Sequence, residues 1–289
     1  MITSEIKLKV VAALKVRRQH EPSAAKMAVK LGVNGAQLSR ILNGDFDNVL
    51  SDANWISIAR KLDVQLRNET MWVTAKTPTY LHIYAQLKAC QEQSLSGLLC
   101  DRADVGKTHT AVEYCKQNKF AIYIDCSQYK SKQKLIRAIA QELGLGSTAR
   151  YADVYGDLVF YIRSIPTPLI VLDEAGDLDY SAWLELKALW NATERCCAWY
   201  MMGADGLKAK IESNLSRTKV GYAELFSRYG SRYQKVSPDG KEAYNEFTNT
   251  QIVMIAKANN VDVDVKKIIA KSHGSLRRVR TELQKLKVA

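Results

Sequence analysis

Asp101-Arg102-Ala103-Asp104-Val105-Gly106-Lys107-Thr108 follows an apolar run from Leu95 to Cys100, and further along the chain stands Leu169-Ile170-Val171-Leu172-Asp173-Glu174. An apolar run without alternation suits a strand buried on both faces of a parallel sheet. Two carboxylates at its C-terminal end then fall at the edge where open α/β sheets hold their ligands. A Gly-Lys-Thr turn that opens a helix presents backbone N–H groups and an ammonium to phosphate oxygens, and the threonine hydroxyl can hold Mg²⁺. The two stretches read together as the phosphate-binding and metal-binding halves of one nucleotide site.

The first stretch is a P-loop with one departure. The full pattern asks for glycine where Asp101 stands. Aspartate tolerates left-handed backbone better than most residues, so the loop can still close. The charges of Asp101 and Asp104 are then expected beside the phosphates, which makes weak nucleotide affinity a separate expectation. Lys107 is expected on the β- and γ-phosphates of ATP, with Val105, Gly106 and His109 completing the cradle. Thr108 and Asp173 are expected to hold Mg²⁺, leaving Glu174 to orient or activate water. Taken alone, Asp173-Glu174 fits a charged strand exit equally well; Lys107 upstream tips the reading to function.

The chain has 289 residues, 47% of them hydrophobic and 25% charged, enough for a sizeable core and for two domains. No apolar run approaches the ~20 residues of a membrane span, and the N-terminus lacks a signal-peptide core, so a cytoplasmic location without a membrane partner is expected. Six cysteines make no metal spacing and read as reduced, buried thiols. The net charge is +12, and from Lys266 to Ala289 eight basic residues face the single acid Glu282. Any one lysine there fits a solvated helix face; the cluster favours a polyanion such as double-stranded DNA.

Residues 1–65 read as a small helical domain. Ser23 is an N-cap candidate for a helix to Leu31, Gly32-Val33-Asn34 breaks it, and Gly35 to Leu42 restarts with Leu38, Ile41 and Leu42 on one face. Two short helices about a glycine-containing turn fit a helix-turn-helix, with Asn34, Gln37, Ser39 and Arg40 outward as candidate DNA contacts; a bundle for protein contacts is the other reading. Ala53 to Leu62 closes the domain. Residues 66–79 read as a linker. From 80 to 238 strands and helices alternate, which predicts a parallel α/β sheet with strands over Leu95–Cys100, Ala121–Cys126, the run ending at Asp173, Cys196–Met202 and Tyr233–Val236. Residues 239–289 read as purely helical. Lys130, Lys132 and Lys134, just beyond the second strand, are further DNA candidates that also suit a solvated loop.

At two later segments the chain resembles the AAA+ ATPases. Leu225-Phe226-Ser227-Arg228-Tyr229-Gly230-Ser231-Arg232 precedes the fifth predicted strand, and Gly274-Ser275-Leu276-Arg277-Arg278-Val279 opens the last helix. The resemblance implies a P-loop AAA+ parallel sheet with a C-terminal helical lid, here preceded by a small all-α helix-turn-helix domain. It implies that Arg228, or Arg232 as runner-up, is a finger reaching a neighbouring subunit's nucleotide, and that Arg277 is the lid arginine. The family's polar residue after the fourth strand falls on Asp205, a departure from its usual Asn or Thr. The order of parts is similar to the phage transposition ATPases of the target-DNA activator family. That likeness implies ATP-dependent, largely sequence-nonspecific DNA binding, self-assembly into an oligomer or filament, and activation of a transposase. A helix-turn-helix transcription regulator with an ATPase switch, and a helicase-loader-like ATPase, stay open as alternatives.

Overall fold

The computed structural model of the protein describes residues 2–64, 72–259 and 264–288. The chain opens with four helices: α1 (Ser4–His20), α2 (Ala24–Leu31), α3 (Gly35–Leu42) and α4 (Asp52–Lys61). Each starts where a side-chain oxygen accepts an otherwise orphaned N–H, supplied by Thr3, Ser23, Asn34 and Ser51 in turn. Gly32, at φ 69°, closes α2 in the left-handed region that glycine adopts without strain. Val10, Leu14, Met27, Leu38, Ile41, Trp55 and Ile58 form their shared core. Helix α1 was not delineated by the sequence reading, whereas α2, α3 and α4 fall where it put them.

The chain then alternates as expected: α5 (Pro78–Gln93), β1 (Ser96–Cys100), α6 (Lys107–Gln117), β2 (Ala121–Asp125), α7 (Lys132–Glu142), α8 (Tyr151–Ser164), β3 (Leu169–Asp173), α9 (Tyr180–Ala192), β4 (Ala198–Gly203), α10 (Asp205–Ser216) and α11 (Tyr222–Arg228). Of the expected linker, residues 66–71 lie outside the described residues, and Pro78 and Thr79 already belong to α5, where a first-turn proline has no N–H to lose. All the strand pairs are parallel, in the order β1-β4-β3-β2. The alternating side chains fill two separate layers. Ile170, Leu172, Trp199 and Met201 pack with α7 to α11, while Leu169, Val171, Tyr200 and Met202 pack with α5 and α6. A strand clad on both sides must be apolar at every position, which is why Leu169–Leu172 carries no alternation.

The expected fifth strand is a correction. Only one bridge forms, Gln234 beside Leu99, with Gln234 N–H on the Leu98 carbonyl and Cys100 N–H on that of Gln234. Pairing stops because the next donors, the N–H groups of Val236 and Ser237, go to the Asp101 carboxylate. Helices α8, α10 and α11 were also not foreseen. The C-terminal helices α12 (Lys241–Ala258), α13 (Val265–Ser272) and α14 (Leu276–Val288) bury Ile252, Ala256, Ile268, Val279 and Leu283 in a cluster of their own. All six cysteines are free thiols, five of them buried. Among the described residues no helix is long and apolar enough to cross a membrane.

Trp55 is fully buried and central to the first core. Trp55→Ala is expected to cost about 3–5 kcal/mol there, read as a lowered unfolding midpoint of residues 2–64. An unchanged midpoint contradicts the packing described.

Candidate nucleotide site

Strand β1 delivers the loop 101–106 to the C-terminal edge of the sheet, and Asp101 N–H extends the pairing to the Gly203 carbonyl at 3.2 Å. Val105, 2% exposed, anchors the loop's far side. Gly106 turns the chain into α6 at φ 102°, a conformation that strains any side chain. No side chain caps α6, so its first N–H groups are donors that an anion could take. Lys107 is buried, and its ammonium donates to the carbonyls of Asp101 at 2.8 Å and Arg102 at 2.7 Å. Burial lowers its pKa, opposed by the charges of Asp101, Asp173, Glu174 and Asp205. That set draws the ends of β1, β3 and β4 together around one cation.

Asp173 closes β3 and is 1% exposed. Its Oδ2 accepts from the Thr108 hydroxyl at 2.6 Å and the Tyr123 hydroxyl at 2.9 Å, while Oδ1 accepts Glu174 N–H at 2.9 Å. Glu174 leaves the strand at φ 49° and is exposed, and burial followed by the charge of Asp173 raises its pKa. The oxygens of Thr108 and Asp173 are the hard donors Mg²⁺ takes when phosphates and water supply its other ligands. The buried ammonium, the uncapped helix and this oxygen pair fit a Mg-nucleotide.

The two loop aspartates are engaged by protein donors. Asp101 is fully buried; its carboxylate accepts N–H groups of Arg102, Val236 and Ser237 at 2.7–2.8 Å, and the Ser237 hydroxyl. Burial opposes its charge, but these bonds prevail and lower its pKa. Asp104 accepts the Ser275 hydroxyl and Arg277 N–H at the start of α14. His109 is exposed and bonds Thr74 through its ring at 3.1 Å.

The arginines differ. The Arg228 guanidinium, at the end of α11, lies 5.2 Å over the Trp190 ring, with Nη1 buried. Arg232 is exposed on the following segment. Arg277 is exposed with Nε 3.8 Å from Asp104. Asp205 begins α10, just past β4. In α3, Asn34 and Gln37 form a reciprocal capping box, Gln37 also donates to Val49 O, Arg40 pairs with Asp45 at 2.8 Å, and Ser39 is exposed. Lys130 pairs with Asp177 at 3.0 Å; Lys132 lies 5.7 Å from the Tyr151 ring, and Lys134 is exposed. The sequence reading missed Tyr123, Ser237 and Ser275. Tyr123 had a signal, as the one hydroxyl within the apolar run of β2.

Asp101→Gly restores the loop's glycine but orphans two buried donors, the N–H and hydroxyl of Ser237, at about 1–3 kcal/mol each. It should therefore lower stability by a few kcal/mol. Because the folded pKa of Asp101 is depressed, its contribution is complete above the ordinary carboxylate pKa of ~3.9 and is lost as pH falls through the folded value. The stability gap between Asp101→Asn and the unmodified chain should narrow as urea melts are taken to acid pH. A variant as stable as the unmodified chain contradicts this role.

Residues 90–211 match the AAA domain family. The chain is 26% identical over 209 residues to the Mu-like prophage FluMu DNA transposition protein B of Haemophilus influenzae, covering 71% of each. Two solved structures share the fold at 18% identity. The Orc1 protein of Aeropyrum pernix, solved in complex with DNA, matches 74% of this chain with a TM-score of 0.54. Cdc6p from Pyrobaculum aerophilum matches 72% with a TM-score of 0.50. The chain spans 60% and 57% of those two structures. With its sheet, loop and strand-end carboxylates on one edge, the chain resembles the AAA domain family over residues 90–211 and a Mu-type DNA transposition protein B over 71% of its length.

Proposed function

We propose that this protein is a Mg-dependent ATPase that assembles on double-stranded DNA in its ATP form and activates a transposase. The observation that carries the nucleotide half is the convergence of Lys107, the uncapped start of α6 and the Thr108–Asp173 pair at one sheet edge. Magnesium, when bound, supplies charge neutralisation between the phosphates. Thr108 and Asp173 would hold the metal, Lys107 would leave the Asp101 and Arg102 carbonyls for the β- and γ-phosphates, and Glu174 would orient the attacking water. Residues 1–65, 80–238 and 239–289 act as helix-turn-helix domain, ATPase domain and lid.

The DNA half is supported by the net charge of +12, by exposed Lys266, Lys267, Lys271 and Arg278, and by the similarity to a DNA transposition protein B. Phosphate contacts give affinity that falls steeply with salt and ignores sequence. In α3, exposed Ser39 and Arg40, the latter after leaving its exposed partner Asp45, are the groups best disposed to meet DNA, since Asn34 and Gln37 are committed to the cap. A single operator preferred by ~10³-fold or more would instead favour the regulator reading.

The ATPase reading is tested by turnover measured with several unrelated duplexes. Slow hydrolysis stimulated alike by all of them is expected, with Lys107→Ala losing ATP binding and Glu174→Gln keeping ATP while losing hydrolysis. Normal turnover in Glu174→Gln sinks its assigned role.

Assembly has its own test. Arg232 is exposed whereas Arg228 is packed over Trp190, so Arg232 is the first choice for a finger in trans. Fingers contribute about 10³ to 10⁵ in rate in related chemistry. Arg232→Ala should lose hydrolysis but regain part of it when mixed with Lys107→Ala, since each retains the half-site the other lacks. No recovery, with full activity in Arg232→Ala alone, removes it as the finger.

A further inference from the structure

The loop 101–106 carries side chains where a glycine-rich loop carries none, and three of them reach the C-terminal part of the chain. Asp101 binds the main chain of Val236 and Ser237, immediately before the lid helices. The Arg102 guanidinium lies 4.2 Å over the Tyr244 ring on α12. Asp104 takes the Ser275 hydroxyl on Oδ2 and Arg277 N–H on Oδ1 at 3.1 Å, with the Arg277 side chain 3.8 Å away. Ser275 in turn accepts Arg278 N–H at 3.2 Å, so carboxylate and hydroxyl together cap α14. Asp104 sits at φ 64°, a left-handed conformation that places its carboxylate across the lid while Gly106 and Lys107 follow two and three residues later. One anion thus caps the start of α14 and lies beside the exposed Arg277 guanidinium.

We propose that Asp104 is a positioning residue: it holds Arg277 on the loop and releases it to the terminal phosphate of a bound nucleoside triphosphate, so that loop occupancy sets the position of the lid. The inference rests on the nucleotide reading of the site and adds its coupling to α12–α14. The two anions compete for one guanidinium. A triphosphate must displace Asp104 from Arg277, which lowers its affinity, and the released arginine then draws α14 with it. A diphosphate, lacking the terminal group, leaves the Asp104–Arg277 pair in place. Discrimination between the two nucleotides therefore resides in the lid.

The test uses the full chain and three variants. Asparagine suits the left-handed backbone at 104 and keeps the acceptor for Arg277 N–H but removes the charge. Asp104→Asn should tighten binding of a non-hydrolysable ATP analogue about tenfold, the scale of one charge-assisted contact, with little change for ADP. The gain should vanish in an Arg277→Ala background. Equal gains for both nucleotides, or a gain that survives Arg277→Ala, overturn the competition in favour of plain charge repulsion. Amide hydrogen exchange, taken without nucleotide, reads the latch itself: Asp104→Ala should speed exchange at Arg277, and Asp104→Asn should not. Unchanged exchange in Asp104→Ala overturns the latch alone, whereas failure of the unmodified chain to bind either nucleotide overturns the nucleotide reading together with it.

Discussion

The site depends on a 2.6 Å hydrogen bond between Thr108 and Asp173, residues 65 positions apart. They belong to elements that are not sheet neighbours, because β4 lies between β1 and β3. The bond can form only if three parallel strands end in register and the loop after β1 folds back over their ends. Everything that fixes that register therefore shapes the site: the doubly buried strands, the Asp101–Gly203 pairing that lengthens β1, and the Tyr123 hydroxyl that holds Asp173 from the β2 side. Asp173 is nearly inaccessible yet fully bonded, which is how a charge is tolerated at the end of an apolar strand.

A second constraint follows from replacing a loop glycine by Asp101. A buried carboxylate needs donors, and besides the adjacent Arg102 N–H they come from the Val236 and Ser237 N–H groups and the Ser237 hydroxyl. Taking them ends the incipient fifth strand after Gln234 and fastens the segment leading into α12 to the loop 101–106. The same substitution that weakens the glycine pattern thus strengthens the join between sheet and lid. A glycine-rich loop touches its ligand through backbone alone; this loop also touches its own C-terminal helices through side chains at 101, 102 and 104.

Much of this was legible in the sequence because burial on both faces imposes an unbroken apolar run, and because loop and strand-end motifs state their chemistry in a few residues. Strands β1 to β4 and helices α2, α3 and α4 fall close to where periodicity put them. What escaped was of two kinds. Helix α8 carries Val154, Leu158 and Ile162 inward at helical spacing, a signal the sequence does hold, whereas α10 buries only Leu207 and Ile211 and α11 spans just seven residues. The partners of Asp101 and Asp104 were not readable at all, since Ser237 lies 136 residues and Ser275 171 residues away, and no local rule links them. For the same reason the family pattern, which puts Arg228 ahead of Arg232, carries no information on exposure: only packing reveals that Arg228 lies over Trp190 while Arg232 is exposed, which reverses the order of choice.

Lys107, Thr108 and Asp173 are proposed to form one site for a Mg-nucleotide. The most direct test is a crystal structure of the chain with a non-hydrolysable ATP analogue and Mg²⁺. The account predicts the β- and γ-phosphates at the start of α6, Lys107 moved from the Asp101 and Arg102 carbonyls onto them, and the metal beside Thr108 and Asp173. A nucleotide bound elsewhere, or one at the loop with Lys107 still on those carbonyls, would contradict it.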